Sequence, residues 1–331
     1  MDGFEELTLE LTDWCPAECL HCSSNSNPVC DNRLPEDLAL RLVEEVARIG
    51  ARKVSFGGGE PVAAESFPPV VERVAVLGMR SEVFTCGVVG SGESLSVLPG
   101  DILNLCKKLP AIKFIFSVHG ATADVHDYIA QTPGSFELMK GSLAKCLAAG
   151  IECEMNFVPT RVNVSQFEGV AELAEEFGLK RLSILRFVPQ GRGRENREEL
   201  ELYRDEEDLF VERLLALRTK TKVDLRTGSP FNGIVPGNAI PCRAGASKLV
   251  VQADGNVLPC EVFKHNERCK WNLSVYEQSL AQILESPQLA VLSDLLKNSN
   301  CLECPIHSEL RAQRRPRGVH DKISGHTIQT K

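Results

Sequence analysis

No stretch of this 331-residue chain is apolar for long. Its hydrophobic runs are short and broken by charge, so none reads as a membrane span, which needs about 20 apolar residues. The opening stretch MDGFEELTLELTD is acidic and has no apolar signal core. These two absences predict a cytoplasmic protein with no membrane partner. A basic surplus is missing too: 37 Lys and Arg stand against 45 Asp and Glu, a net charge of -8. Phosphate backbones select cationic surfaces, so no nucleic-acid partner is expected. Cysteine, thirteen in all, is too sparse for a disulfide scaffold, where roughly 8–10% is typical. The count is odd and the compartment reducing, which points clustered cysteines toward metal binding or redox work. No internal repeat of about 20–50 residues is present.

What is present is an alternation of strand-like and helix-like segments. Leu7, Leu9 and Leu11 alternate with Thr8, Glu10 and Thr12, a period of two. A helix is predicted over 35–49, with Leu38, Leu42, Val46 and Ile49 on one face and Gly50 as its stop. Further strands are predicted over 53–56, 81–86, 113–119, 151–158 and 181–187, and helices over 67–77, 136–149 and 166–177. The last helix carries a capping-box pattern, Ser165 with Glu168, and ends at Gly178. Six strands with crossover helices imply a parallel sheet. The unit length suits a (β/α) barrel, whole or partial, and an open sheet is the plainer alternative. The expected fold is α/β, a partial (β/α)6 TIM-like barrel over residues 1–220, with ligand sites at the strand C-termini.

Residues 192–208 read as a charged, solvated connection to a helix over 209–217, with Arg192, Arg194 and Arg197 less favoured as contacts to an acidic substrate. From about Val223 the chain turns rich in Pro and Gly. A hairpin follows over 248–258, with the turn Ala253-Asp254-Gly255-Asn256. Cysteines return at 242, 260, 269, 301 and 304. A small domain over 221–310, with few large apolar residues, is one that a metal site could staple. Residues 311–331 read as a basic tail.

Cys15, Cys19 and Cys22 form C-x3-C-x2-C directly after the first strand. A closed zinc site would need a fourth ligand, and His21 or Cys30 is near. Zinc fingers, however, use separated pairs, and three thiolates on one short loop suit a cubane 4Fe–4S cluster with one iron open. Gly57-Gly58-Gly59-Glu60-Pro61 follows the second strand. Such glycines serve a tight turn, or let a ligand approach the backbone beside a carboxylate that can pair with an ammonium. Ser117 and His119 share one side of the fourth strand, as satisfied interior groups or as ligand contacts. Asn156 and Arg186, on the fifth and sixth strands, are further candidates. Arg186 sits among Ile184, Leu185, Phe187 and Val188, so its charge needs a partner.

The cysteine loop, with Gly58-Gly59-Glu60-Pro61 one β/α unit later, resembles the signature of the radical S-adenosylmethionine (SAM) superfamily. In that family the amino and carboxylate groups of SAM chelate the open iron. Reductive cleavage then gives a 5′-deoxyadenosyl radical that abstracts a hydrogen atom from substrate. The resemblance implies that Gly58, Gly59 and Glu60 meet the methionine amino group. It gives Ser117, His119, Asn156 and Arg186 to other parts of SAM, and makes His21 a neighbour of the cluster or adenine. One departure is visible. Where relatives often carry Arg in H-D-x-x-R before P-G-S-F, this chain has Ala130, which turns attention to Arg186.

Cys242, Cys260, Cys301 and Cys304 supply four thiolates, which by residue chemistry suit zinc or iron–sulfur alike. Their spacing resembles the twitch domain, a shortened SPASM domain. That implies one auxiliary cluster, hence two [4Fe–4S] clusters and SAM as cofactors. Cys106, Cys146 and Cys153 read as core residues. Cys86 and Cys269 are candidate hydrogen donors, as free cysteines are in some relatives. The implied function is modification of a ribosomally synthesised peptide by crosslinking, epimerisation or oxidation. An alternative is dehydrogenation or epimerisation of a sugar or aminoglycoside-like metabolite, and a remote one is a zinc-stapled binding protein. A reductant such as flavodoxin or ferredoxin is an expected partner. Because the first strand starts near residue 5, a peptide enzyme of this form is expected to use a separate recognition protein or direct binding in a groove.

Overall fold

The computed structural model describes residues 3–265 and 272–297. Six strands stand where the sequence alternation places them: β1 (Glu6–Glu10), β2 (Lys53–Gly57), β3 (Arg80–Thr85) and, beyond a small hairpin of β4 (Val88–Val89) and β5 (Ser96–Val97), β6 (Ile112–Ser117), β7 (Glu152–Phe157) and β8 (Arg181–Ile184). These six are parallel neighbours in chain order. The crossovers carry α1 (Glu36–Arg48), α2 (Phe67–Val76), α3 (Gly100–Cys106), α4 (Ala123–Ala130), α5 (Ser135–Ala148) and α6 (Phe167–Glu176). After β8 come the short α7 (Arg192–Glu195) and α8 (Arg197–Leu200), then α9 (Arg204–Arg218).

Two more parallel strands extend the sheet. Strand β9 (Asp224–Thr227) pairs with β8. Strand β10 (Lys248–Val251) pairs antiparallel with β11 (Val257–Leu258), as the hairpin pattern requires, but also adds parallel to the free edge of β1. The sheet order is β11-β10-β1-β2-β3-β6-β7-β8-β9, and among the described residues no ladder joins its two ends, so the barrel is partial. Helices α10 (Leu280–Leu284) and α11 (Pro287–Lys297) follow. The first docks on α1, where the Leu280 amide donates to Glu45 and Arg41 donates to the Val275 carbonyl.

One helix start is corrected. Ser165 does not cap α6, because a 3-10 turn over Val164–Gln166 precedes it and Gln166 occupies the cap position. The longer Gln166 side chain reaches the loop after β6 and accepts from the Ala121 amide at 2.7 Å. Glu168 pairs instead with Arg213 of α9.

The faces of the sheet differ sharply. Leu7, Leu9, Val54, Phe56, Val83, Phe114, Phe116, Met155, Phe157, Leu182 and Ile184 are fully buried in one core with the helices. Across the opposite face runs a ladder of charged residues, one from each parallel strand, alternating in sign. Lys248 meets Glu6 at 3.7 Å, Glu6 meets Lys53 at 3.2 Å, and Lys53 meets Glu82 at 2.9 Å. Glu82 then meets Lys113 at 3.0 Å, Lys113 meets Glu154 at 3.0 Å, Glu154 meets Arg181 at 3.3 Å, and Arg181 meets Asp224 at 2.8 Å. This ladder lies toward the N-terminal ends of the strands. It satisfies that end internally and leaves the C-terminal ends for ligands.

Burial alone would raise the Glu82 carboxyl, but the Lys53 and Lys113 ammonium groups hold it at about 2. A carboxyl lowered on folding contributes stability above its ordinary 4.5, and that contribution is lost as pH falls toward 2. Thermal unfolding against pH should show this fall, and Glu82→Gln should flatten it. Replacing Lys113 with Met leaves Glu82 only Lys53 and Glu154 only Arg181, and should cost about 2 kcal/mol in denaturant unfolding. A loss below about 1 kcal/mol would show the ladder to be a weak surface array.

Candidate active site

The loop that leaves β1 folds back onto the turn that leaves β2. The Gly59 amide donates to the Thr12 carbonyl at 2.9 Å, and the Glu60 amide donates to the Trp14 carbonyl at 2.8 Å. A Cβ on Gly59 would lie 2.0 Å from the Trp14 oxygen. One on Gly58, where φ is +98°, would lie 2.7 Å from the Thr12 oxygen. These glycines therefore admit the cysteine loop itself, whatever ligand they also admit.

Two further elements hold the loop. The end of α4 offers carbonyls that no helical amide reaches. The Leu20 amide donates to Ile129 at 2.8 Å and the Glu18 amide to Ala130 at 3.2 Å. Ala130, at the position of the departure from the family pattern, is buried here. From the other side, Arg192 donates to the carbonyls of Cys19 (3.1 Å) and Ser26, and Asn196 donates to the Leu20 carbonyl at 3.0 Å. This corrects the reading of the arginine stretch as solvated. A Cβ on Gly191 would lie 2.6 Å from the Cys22 carbonyl oxygen, so its glycine permits the close approach. The Gly-Arg-Gly text at 191–193 was the signal in the sequence.

Cys15, Cys19 and Cys22 come together in this loop. Burial, then the neighbouring Cys15 and Cys22 thiols, push the Cys19 thiol well above its ordinary range. A thiol whose ionisation burial and two neighbouring thiols oppose belongs to a donor set that a cationic metal centre would relieve, so the residues fit an iron–sulfur cluster. His119 Nε2 lies 3.7 Å from Cys19 Sγ. The His21 ring packs edge-on against His119 with centroids 4.7 Å apart, and His126 lies 4.9 Å beyond His119. Burial lowers all three, His21 and His126 to about 4, so the column is neutral at pH 7.

Glu60 is completely buried. Its carboxylate accepts from the Thr85 hydroxyl at 2.8 Å, the Cys86 amide at 2.8 Å, the Cys86 thiol at 3.0 Å and the Val62 amide at 3.3 Å. Burial raises its carboxyl, and the bonds from Cys86 and Thr85 oppose that rise. No cation pairs with it among the described residues, a vacancy of charge that suits an ammonium ligand. The Cys86 thiol also reaches Cys15, so Cys86 stands between the cysteine loop and Glu60.

Ser117, Asn156 and Ser183 are register partners across β6, β7 and β8, toward the strand C-termini. Ser183 was not singled out from the sequence. Lone serines carry no signal until the register is known. Arg186 already has a carboxylate partner, Glu207 at 3.3 Å, in a pocket it shares with Pro159, Phe187, Phe210 and Phe231. Cys242 and Cys260 border a second small apolar cluster of Ala244, Val250, Leu258, Phe263 and Leu292. Cys269, Cys301 and Cys304 lie outside the described residues. No helix among the described residues is long and apolar enough to cross a membrane.

A partial barrel, a three-cysteine loop after β1 and an unpaired buried carboxylate after β2 together define a class. The chain belongs to the radical SAM superfamily, whose family model matches residues 9–174, half of the sequence. It is an enzyme of that family, with SAM and a 4Fe–4S cluster as cofactors. An iron–sulfur cluster-binding domain of the SPASM type matches residues 242–305 and adds iron–sulfur at the C-terminal end. Among curated proteins, the chain is 27% identical over 285 residues to the PqqA peptide cyclase of Xanthomonas campestris, covering 83% of this chain and 72% of that protein. It is 29% identical over 272 residues to the mycofactocin maturase MftC of Mycobacterium ulcerans, covering 78% and 69%. Among solved structures, Streptococcus suis SuiB bound to S-adenosylmethionine superposes with a TM-score of 0.71 at 18% identity, covering 91% of this chain and 71% of that one. The anSMEcpe structure with bound AdoMet and Cp18Cys peptide gives 0.68 at 14% identity, covering 90% and 87%. These two likenesses are of fold.

Gly59→Ala tests the joint between the two loops. The added methyl would overlap the Trp14 carbonyl, so anaerobically reconstituted protein should lose about half its iron while its far-UV circular dichroism is unchanged. Full iron would show that the loops separate without consequence.

Proposed function

We propose that the chain modifies a ribosomally synthesised peptide by hydrogen-atom abstraction. The observation that carries this reading is the similarity, along most of the chain, to a peptide cyclase and a mycofactocin maturase. When bound, the cluster and SAM supply a 5′-deoxyadenosyl radical. The residues of this chain prepare that chemistry. Cys15, Cys19 and Cys22 would hold the cluster. His119 lies beside the Cys19 sulfur and orients it. Glu60 takes the ammonium of SAM in a site where, among the described residues, no lysine or arginine competes, and Gly58 and Gly59 keep that carboxylate against the cysteine loop. Ser117, Asn156 and Ser183 form a polar row for the remaining groups of SAM or for substrate. Arg186, held by Glu207, borders the same end of the barrel.

The division at 220/221 is a division of chemistry. Residues 221–310 hold a second cluster through Cys242, Cys260, Cys301 and Cys304. Four thiolates saturate one cluster, so it moves electrons and does not bind substrate. Cys86, which lies beside Cys15 and Glu60, returns a hydrogen atom to the substrate radical, and Cys269 is the other candidate. A flavodoxin or ferredoxin supplies the electron.

The test is turnover. Reconstituted protein, SAM, dithionite and short peptides encoded beside its gene should give 5′-deoxyadenosine together with a changed peptide mass. Unchanged peptides, with 5′-deoxyadenosine released only on addition of a sugar or aminoglycoside, would overturn the peptide reading.

A further inference from the structure

Lysine is almost never fully buried unless its charge is paired. Lys264, four residues beyond Cys260, is 4% exposed. It belongs to the C-terminal iron–sulfur region, yet its ammonium lies in the SAM-cluster loop. There it pairs with Glu10, the last residue of β1, and donates to the Ser24 hydroxyl at 2.8 Å. Ser24 is two residues past Cys22. Burial alone would lower Lys264, but Glu10 outweighs it and raises the ammonium above its ordinary value, with Glu261 and Cys22 adding to the rise.

The segment around Lys264 is fixed. Gln190 donates to the Glu261 carbonyl at 2.8 Å, and Arg194 donates to the His265 carbonyl at 3.2 Å. These come from the same strap that holds the Cys19 and Leu20 carbonyls. On the far side of Lys264, Glu261 meets Lys248 at 2.9 Å and the Thr8 hydroxyl at 3.1 Å, and the Cys260 thiol lies 3.5 Å from its carboxylate. One buried cation therefore stands between the two cysteine sites, 240 residues along the chain from the serine it touches.

Thiolate-bound clusters are negative, and reduction adds one more negative charge. A fixed cation in a low-dielectric site favours the reduced form. We propose that Lys264 is a positioning residue that sets the reduction potential of the SAM cluster, carrying its charge in from the auxiliary iron–sulfur domain. Reduction of the first cluster then depends on how the second domain is seated. The part of this inference that links the two sites rests on Cys260 being an auxiliary ligand, which the iron content of Cys260→Ala tests separately.

The experiment is a redox titration of the reconstituted full chain, followed by the EPR signal of the reduced SAM cluster. Lys264→Gln should shift the midpoint to more negative potential with iron content unchanged. Glu10→Gln, which removes the carboxylate paired with the lysine, should shift it to more positive potential. Two loaded variants with unmoved midpoints would overturn the proposal and leave Lys264 a packing contact. Should Lys264→Gln fail to load iron, Glu10→Gln decides alone: a midpoint unmoved or lowered refutes the assignment.

Discussion

Two backbone hydrogen bonds, Gly59 to Thr12 and Glu60 to Trp14, join the loops after β1 and β2, with no space for a side chain between them. Much of the site depends on this contact. It brings Glu60 beside the cysteine loop, so the group that would bind the amino end of SAM and the thiols that would hold iron share one rigid unit. Both loops leave neighbouring parallel strands at the same end. A two-residue register shift between β1 and β2 would separate them by about 7 Å.

Electrostatics divide the interior of the sheet. At the N-terminal end each charge of the ladder has an opposite neighbour, from Lys248 through to Asp224. At the C-terminal end Glu60 has donors but, among the described residues, no cation. A buried carboxylate without a counter-charge costs several kcal/mol, and evolution tolerates such costs chiefly where a ligand removes them. The neutral histidine column beside Cys19 adds no competing charge. The positive groups that do reach the loop, Arg192 and Lys264, arrive from later parts of the chain. They bind the loop to the strap after β8 and to the C-terminal domain.

What the sequence made legible follows the range of the interactions. Strands β1 to β8 of the main sheet, and most of their helices, are local patterns of period two and 3.6, and they stand where those patterns lie. The cysteine spacing and the glycines with Glu60 are local too. The failures are of longer range. Strand β9 is four residues with an exposed charge at alternate positions, too short for periodicity to show. That β10 would pair with β1 could not be read from a hairpin pattern. Ser165 looked like a cap because its own neighbourhood said so, but Gln166 was drawn to the loop at Ala121. Lys264 reads as an ordinary surface lysine until its partners, Glu10 and Ser24, are known. Arg186 was rightly seen to need a counter-charge, and Glu207, a helix away, supplies one.

The central claim is that three cysteines hold a cluster left open for SAM, which Glu60 seats. The most direct measurement is the EPR spectrum of the reduced protein with and without SAM, in a variant lacking Cys242 and Cys260 so that the first cluster is seen alone. The account predicts about four irons per chain and a spectrum that changes on adding SAM, with the change lost in Glu60→Gln. A colourless protein that binds zinc, or a cluster whose spectrum ignores SAM, would contradict it.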